Sequence, residues 1–159
     1  MKSTLNRAQR FETSYQNLGN RPDIQLFANM KEVYMVALLV GFLSGRRIPI
    51  DKISEPIKMN IFDANDKNIM DIIALCKKGD LSLLINEDEC VNEKLCLIEE
   101  YANGGMELIE KNICIPMPNF EALKSLIESF DKKDDKNIKV DIADIIAAAI
   151  KDLDCEQEL

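Results

Sequence analysis

The chain has 159 residues, of which 47% are hydrophobic and 30% are charged, and its formal net charge is −8. This length is typical of one domain with a buried core, and the composition excludes collagen-like, low-complexity and disordered chains. The negative charge disfavours general adhesion to nucleic acid or to membrane surfaces, because phosphate groups attract clustered lysine and arginine.

The amino-terminal residues 1–21 are mostly polar and predict only a short helix. Their apolar side chains at helical spacing are Phe11, Tyr15 and Leu18. Because this stripe is narrow, we expect the helix to pack weakly and residues 1–21 to be peripheral to the core. We expect the acidic end of the chain, residues 154–159, to be peripheral as well.

A central helix is predicted over Asn29–Arg47, because the segment Val33–Leu43 is apolar on every side of a helix and needs packing on all sides. Asn29 and Glu32 have the spacing of a capping box at its start, and Gly45 marks its end. The apolar run has eleven residues. A membrane-spanning helix needs about 20. We therefore predict a buried helix of a soluble protein.

The remaining elements follow from proline positions and helical apolar stripes. Two prolines within 48–62 exclude a regular helix there and leave at most a short strand or hairpin. Asp66 is the predicted cap of the next helix, and Gly79 is its predicted end. Glycines 104 and 105 are expected to interrupt a later helix, as a kink or as a close helix contact. The predicted helices are Ile69–Lys77, a helix from Asn92, a helix from Asn119 to Phe130, and Ile142–Leu153.

Together these elements predict a mainly α fold. It is a single compact helical domain over 1–159, with five to six helices around the central buried helix and at most a short strand or hairpin near 48–62. Gly41 and Gly45 are four residues apart on the central helix, and this spacing would admit a neighbouring helix closely.

The chain contains no histidine, which removes Ser–His, Cys–His and His–metal sites together with the commonest general base near neutral pH. Its five cysteines are an odd number without a Cys-x-x-Cys pair, which indicates reduced thiols and a cytoplasmic location. We therefore predict no catalytic residue, no metal and no cofactor, and we do not expect an enzyme.

Two acidic patterns offer alternatives to this expectation. The segment beginning Asp63-Ala64-Asn65-Asp66-Lys67 opens like a calcium loop, but Asn68 and Ala74 replace the required Gly and Glu. Pro22-Asp23 with Asp131-Lys132-Lys133 matches the letters of a metal-dependent nuclease. Such matches arise easily by chance in a chain that is 30% charged.

Arg46 and Arg47 are the candidate binding residues, because two guanidinium groups at the end of a rigid helix can grip phosphate or a partner's carboxylates. The alternative is that they cap their own helix and pair with Glu55 or with the acidic second half. Residues 1–58 carry a net charge of +4 and residues 59–159 carry −12. The basic third therefore either contacts DNA or docks on the acidic remainder of the chain.

The order of several segments resembles the small proteins grouped as DNA phosphorothioation (Dnd) system-associated protein 4. The resemblance covers about residues 22–115. The segments that carry it are Val40-Gly41-Phe42-Leu43-Ser44-Gly45-Arg46-Arg47-Ile48-Pro49-Ile50, Glu55-Pro56-Ile57, Ala74-Leu75-Cys76-Lys77-Lys78-Gly79-Asp80-Leu81 and Ile98-Glu99-Glu100-Tyr101-Ala102-Asn103-Gly104-Gly105.

The resemblance implies a bacterial accessory protein, encoded beside genes that replace a backbone oxygen of DNA with sulfur or that restrict DNA lacking this mark. It supplies no catalytic residue. Two hypotheses follow: a non-enzymatic adaptor that binds subunits of a modification or restriction complex, with Arg46 and Arg47 at the contact, and a DNA-binding regulator that uses the basic amino-terminal third. Neither involves a membrane, and a homo-oligomer stays open.

Overall fold

The structure, a computed structural model, describes residues 1–20, 23, 26–113 and 118–130. The elements are β1 (Thr4–Leu5), α1 (Glu12–Gly19), α2 (Met30–Ser44), β2 (Ile57–Lys58), α3 (Ala64–Lys78) and α4 (Asp88–Asn112). Residues 120–130 are also helical. The predicted mainly α fold around a central helix is confirmed. The expected helix Ile142–Leu153 and the acidic end lie outside the described residues.

The central helix α2 begins and ends where the sequence predicts. The side-chain oxygen of Asn29 accepts a hydrogen bond from the backbone N–H of Glu32 at 3.1 Å, and the Glu32 carboxylate accepts one from the N–H of Ala28 at 2.8 Å. Gly45 ends the helix in the left-handed conformation, with φ of 68°. Seven of its fifteen residues are buried, and among its large apolar side chains Leu39 is exposed at 36%.

We expect Asn29→Ala to lower the free energy of unfolding by about 1 kcal/mol, because the Glu32 N–H loses its acceptor. Asn29→Asp keeps the acceptor and serves as the control. Urea denaturation followed by circular dichroism measures both variants. Equal stability of the alanine and aspartate variants would show that the cap contributes nothing.

The long helix α4 corrects two expectations. It begins at Asp88 and not at Asn92, and it continues without a break through Gly104 and Gly105 to Asn112. The two glycines leave room for a neighbouring backbone to contact α4. The backbone of α2 lies against Gly105, and the backbone of Arg46, just after α2, lies against Gly104. The other reading of this pair, a close helix contact, is confirmed.

The expectation that residues 1–21 are peripheral is wrong for the described residues 1–20. Leu5 is fully buried, and four further apolar side chains there are at most 3% exposed: Ala8, Phe11, Tyr15 and Leu18. The segment is held in place by backbone pairing, because β1 is antiparallel to β2, with Thr4 opposite Lys58 and Leu5 opposite Ile57. The strand expected near 48–62 is therefore real, and its partner comes from the amino-terminal segment.

The helix α3 begins one turn earlier than predicted. Asp63 is its cap and Asp66 closes a capping box with it, with backbone-to-carboxylate distances of 3.0 and 3.1 Å. Gly79 ends the helix as the sequence predicts. Within the described residues, no helix is long and apolar enough to cross a membrane.

Candidate interaction surface at the end of the central helix

The helices α2 and α4 cross with their backbones in contact. A Cβ atom on Gly41 would overlap the carbonyl oxygen of Tyr101, and a Cβ atom on Gly105 would overlap that of Ala37. Only glycine fits at such a close approach. The sequence spacing that suggested this contact holds for Gly41 but not for Gly45, which has open space around it.

After α2 ends, the chain passes over the surface of α4. The N–H of Arg46 donates to the carbonyl of Gly41 at 2.9 Å, and the N–H of Ile48 donates to the carbonyl of Glu100 at 3.0 Å. A Cβ atom on Gly104 would overlap the Arg46 carbonyl oxygen. The backbone that carries the two candidate arginines is therefore fixed on α4 by hydrogen bonds and by close packing.

Both arginines pair with carboxylates of α4. The Nε of Arg46 lies 2.5 Å from the Glu107 carboxylate. The Nε and Nη2 of Arg47 donate to Glu100 at 2.9 and 2.5 Å, and its guanidinium carbon lies 5.7 Å from the centre of the Tyr101 ring. From the sequence, two partners were possible for these arginines, Glu55 or the acidic second half of the chain. The observed partners, Glu107 and Glu100, belong to the second half.

The ion pair with Arg46 favours the charged form of the Glu107 carboxylate, and both arginines stay accessible. Burial raises the pKa of Glu107, but the hydrogen bond and charge of Arg46, together with Lys111, lower it below its usual value overall. The side chains of Arg46 and Arg47 are 42% and 37% exposed. A guanidinium has five N–H donors, and Arg47 uses two on Glu100. Donors therefore remain for an external acceptor.

We call Arg46, Arg47, Glu100, Glu107 and Lys111 the arginine surface. The sequence indicated its two arginines but not its two carboxylates. Positions 100, 104 and 107 share one face of a helix, so two acidic side chains flank a glycine on the face that meets α2. This spacing is the sequence signal from which Glu100 and Glu107 could have been predicted.

Asn103 is a further residue that the sequence reasoning missed. It is 4% exposed, and its side-chain N–H group donates to the carbonyls of Ile48 at 3.0 Å and Pro49 at 3.3 Å. These bonds hold the segment after the arginines on α4. An asparagine within the apolar stripe of α4 is the local signal, because a buried amide needs backbone partners.

Other cations of the basic amino-terminal third also pair with carboxylates. Lys2 lies 2.5 Å from Glu99, and Lys31 lies 2.7 Å from Asp66. With the two arginines of the arginine surface, these cations contact acidic residues beyond position 59. Docking of the basic third on the acidic remainder is thus observed for these four side chains.

The acidic patterns weighed in the sequence do not form a metal site among the described residues. Asp63 and Asp66 cap α3, and the Lys31 ammonium lies 3.3 and 2.7 Å from their carboxylates. Of the nuclease-like pattern, Pro22 and residues 131–133 lie outside the described residues. Within the part that the structure describes, no three Cys, Asp or Glu side chains form a group that could hold a metal ion.

A family model described as DNA sulphur modification system-associated protein 4 matches residues 5–145. The chain belongs to this family. The match confirms the resemblance and extends it at both ends beyond 22–115. It includes Leu5 of β1, the whole of α1 and the complete arginine surface. No curated protein and no solved structure matches the chain.

Membership links the chain to a DNA sulphur modification system. The arginine surface lies where the chain leaves α2 and crosses α4, and its two arginines are accessible to solvent. Whether Arg46 and Arg47 contact a partner stays a prediction. Any partner acceptor would have to approach guanidinium groups that already hold Glu107 and Glu100.

Proposed function

We propose that this protein is a non-enzymatic accessory protein of a bacterial restriction or antiviral defence system linked to DNA phosphorothioation. It acts as an adaptor through protein–protein contacts, and its partners are subunits of the modification or restriction complex. The observation that carries this proposal is the family match over residues 5–145, which links the chain to a DNA sulphur modification system.

The arginine surface supports an adaptor role because it is both accessible and rigid. The backbone contacts at Gly41, Gly104 and Gly105 fix the crossing beneath it. Glu100 and Glu107 orient the guanidinium groups before any partner binds, so little side-chain entropy is lost on association. The acceptors on the partner would be carboxylates or backbone carbonyls that take forked hydrogen bonds.

The alternative function is a DNA-binding regulator that uses the basic amino-terminal third. The ion pairs of Lys2, Lys31, Arg46 and Arg47 with the chain's own carboxylates argue against it, because each pair neutralises a charge that phosphate would need. Retention of duplex DNA at about 100 mM salt, with a steep loss as salt rises, would instead favour the regulator.

We expect the double variant Arg46→Gln/Arg47→Gln to bind its partner subunit about tenfold more weakly or worse, because two charge-assisted contacts are lost. The measurement is co-purification of the tagged chain from its native host, followed by titration of the recovered subunit. The double variant Lys52→Gln/Lys77→Gln removes the same charge from exposed positions elsewhere and should bind normally.

Thermal unfolding of both double variants separates loss of contact from loss of fold. If a subunit is recovered and the arginine variant binds it as tightly as the lysine variant does, the arginine surface is not the contact. If no modification or restriction subunit is recovered at all, the adaptor proposal fails.

A further inference from the structure

A cavity of about 390 Å³ lies between the first three residues, the first half of α3 and the amino-terminal part of α4. Its volume is in the range of small-molecule sites, which run from roughly 300 to 1,000 Å³. None of the residues of the arginine surface lines it. The cavity is therefore a separate feature, and an adaptor role does not account for it.

The inner wall of the cavity is apolar. It is formed by Met59, Met70, Val91 and Leu95, of which Met70 and Leu95 are each 1% exposed. Methionine side chains are flexible and polarisable, so they adapt to flat aromatic groups and make favourable contacts with their edges. This wall suits a compact apolar body, and an aromatic one in particular.

The rim of the cavity carries an excess of positive charge. Lys2, Lys67 and Lys94 line it with a single carboxylate, Asp71. Lys94 is only 14% exposed and lies 2.6 Å from Asp71, and Lys2 lies 2.5 Å from Glu99. Within the described residues, Lys67 has no ion-pair partner.

The three ammonium groups come from three different elements. Lys2 precedes β1, Lys67 lies on α3 and Lys94 lies on α4. A chain with net charge −8 thus places three lysines around one apolar cavity. Glu99 and Asp71 pair with Lys2 and Lys94, so the uncompensated positive charge is that of Lys67. An anionic group at this rim would meet Lys67, whose charge is not compensated, and Lys94, which keeps two N–H donors beyond the one on Asp71.

We propose that this cavity binds a small organic anion with one carboxylate or phosphate group and a compact aromatic or apolar body. The body packs on Met1 and Met59, above the buried floor of Met70 and Leu95, and the anionic group pairs with Lys67 and Lys94. Because the ligand would contact the amino-terminal segment, α3 and α4 together, binding also stabilises the fold against unfolding.

The test is isothermal titration calorimetry of the full chain with four matched probes. 2-Naphthoate and 2-naphthyl phosphate both contain the aromatic naphthyl group, the first with a carboxylate and the second with a phosphate. 2-Naphthamide contains the naphthyl group without a charge, and inorganic phosphate is the anion without the naphthyl group. We expect one or both naphthyl anions to bind at least about tenfold more tightly than the amide and inorganic phosphate, since body and charge both contribute. Comparison of the affinities for 2-naphthoate and 2-naphthyl phosphate shows whether the cavity prefers a carboxylate or a phosphate.

Two variants locate the binding. Lys67→Gln should weaken the naphthyl anion about fivefold or more, whereas Lys77→Gln, an exposed lysine on the same helix outside the cavity, should not change it. Ser3→Phe narrows the cavity from its exposed rim without changing a charge and should also weaken binding. Arg46→Gln/Arg47→Gln should leave the affinity unchanged, which keeps this test independent of the adaptor proposal.

Three results would overturn the proposal. They are no binding of any naphthyl probe, equal binding of the anionic and neutral probes, and unchanged affinity in both Lys67→Gln and Ser3→Phe. Protection of Lys67 and Lys94 from acetylation by a partner subunit, with no probe binding, would assign the cavity to protein docking instead.

Discussion

Gly105→Ala should lower the free energy of unfolding by about 3 kcal/mol or more, because the new Cβ atom would overlap the carbonyl oxygen of Ala37. The same atom would lie 2.7 Å from the backbone nitrogen of Gly41. Both contacts are with helix backbone, so no side chain can move aside. The two helices would have to separate along the crossing that holds the core.

Whether Gly105→Ala lowers or raises the free energy of unfolding tests the close contact between α2 and α4. Alanine is favoured over glycine inside a helix by roughly 0.5–1 kcal/mol, so a Gly105→Ala variant without the contact would be more stable than the wild type. Urea denaturation of the purified chain measures the difference. Gly79→Ala is the matched control, because it has open space but a φ of +65° and should cost only about 1–2 kcal/mol. A neutral or stabilising Gly105→Ala would contradict the close crossing.

Arg7→Met should lower the free energy of unfolding by about 3 kcal/mol, because it removes a buried charge that is both ion-paired and hydrogen-bonded. Arg7 is 4% exposed. Its Nε and Nη2 donate to the carbonyl of Glu55 at 3.1 and 2.8 Å, and its Nη1 lies 3.1 Å from the Glu12 carboxylate. The guanidinium also lies 5.1 Å from the centre of the Tyr15 ring. Methionine of similar length leaves Glu12 without its cationic partner and the Glu55 carbonyl without these two donors.

The control is Arg10→Met, which removes an exposed arginine that lies over the Phe11 ring and should cost less than about 1 kcal/mol. Urea denaturation at neutral pH compares the two variants. If Arg7→Met costs no more than Arg10→Met, then the buried network around Arg7 does not hold the amino-terminal segment on the core.

The loss in Arg7→Met should also depend on pH. Burial raises the pKa of Glu12, but hydrogen bonds from Ser54 and Gln16 and the charge of Arg7 lower it overall below its ordinary value of 4.5. The unfolded chain therefore binds the proton more readily, and the stabilisation is present above pH 4.5 and fades as the pH falls through the folded pKa. The difference between wild type and Arg7→Met should shrink in the same range.

The sequence predicted the features that depend on neighbouring residues. The Asn29 cap, the Glu32 partner and the Gly45 and Gly79 stops each follow from local hydrogen bonding or from a left-handed backbone. The fold class followed from helical spacing. These signals lie within one helical turn, so they could be interpreted without knowledge of the tertiary packing.

The features that the sequence did not predict depend on contacts between distant segments. The burial of Leu5 and Phe11 depends on pairing of the amino-terminal segment with residues 53–58, about 50 positions away. The continuity of α4 through Gly104 depends on the backbone of Arg46 filling the space of the missing side chain. Composition and periodicity describe one element at a time and do not specify which elements meet.

The arginine surface contains residues that the sequence predicted and residues that depend on contacts between distant segments. Its arginines were predicted from their position at a helix end, whereas Glu100 and Glu107 became partners only because α2 exits across α4. The same crossing explains why these arginines are oriented as well as exposed. A partner would therefore meet a preformed pattern of guanidinium donors.

As an adaptor, this chain is proposed to bind a subunit of the DNA sulphur modification or restriction machinery. The most direct measurement is native mass spectrometry of the tagged chain purified from its own host, with the Arg46→Gln/Arg47→Gln variant purified in parallel. We predict a defined complex that contains such a subunit for the wild type, and the free chain for the variant. Recovery of the wild type only as free chain or homo-oligomer, from an extract in which the modification and restriction subunits are intact, would rule out the adaptor role.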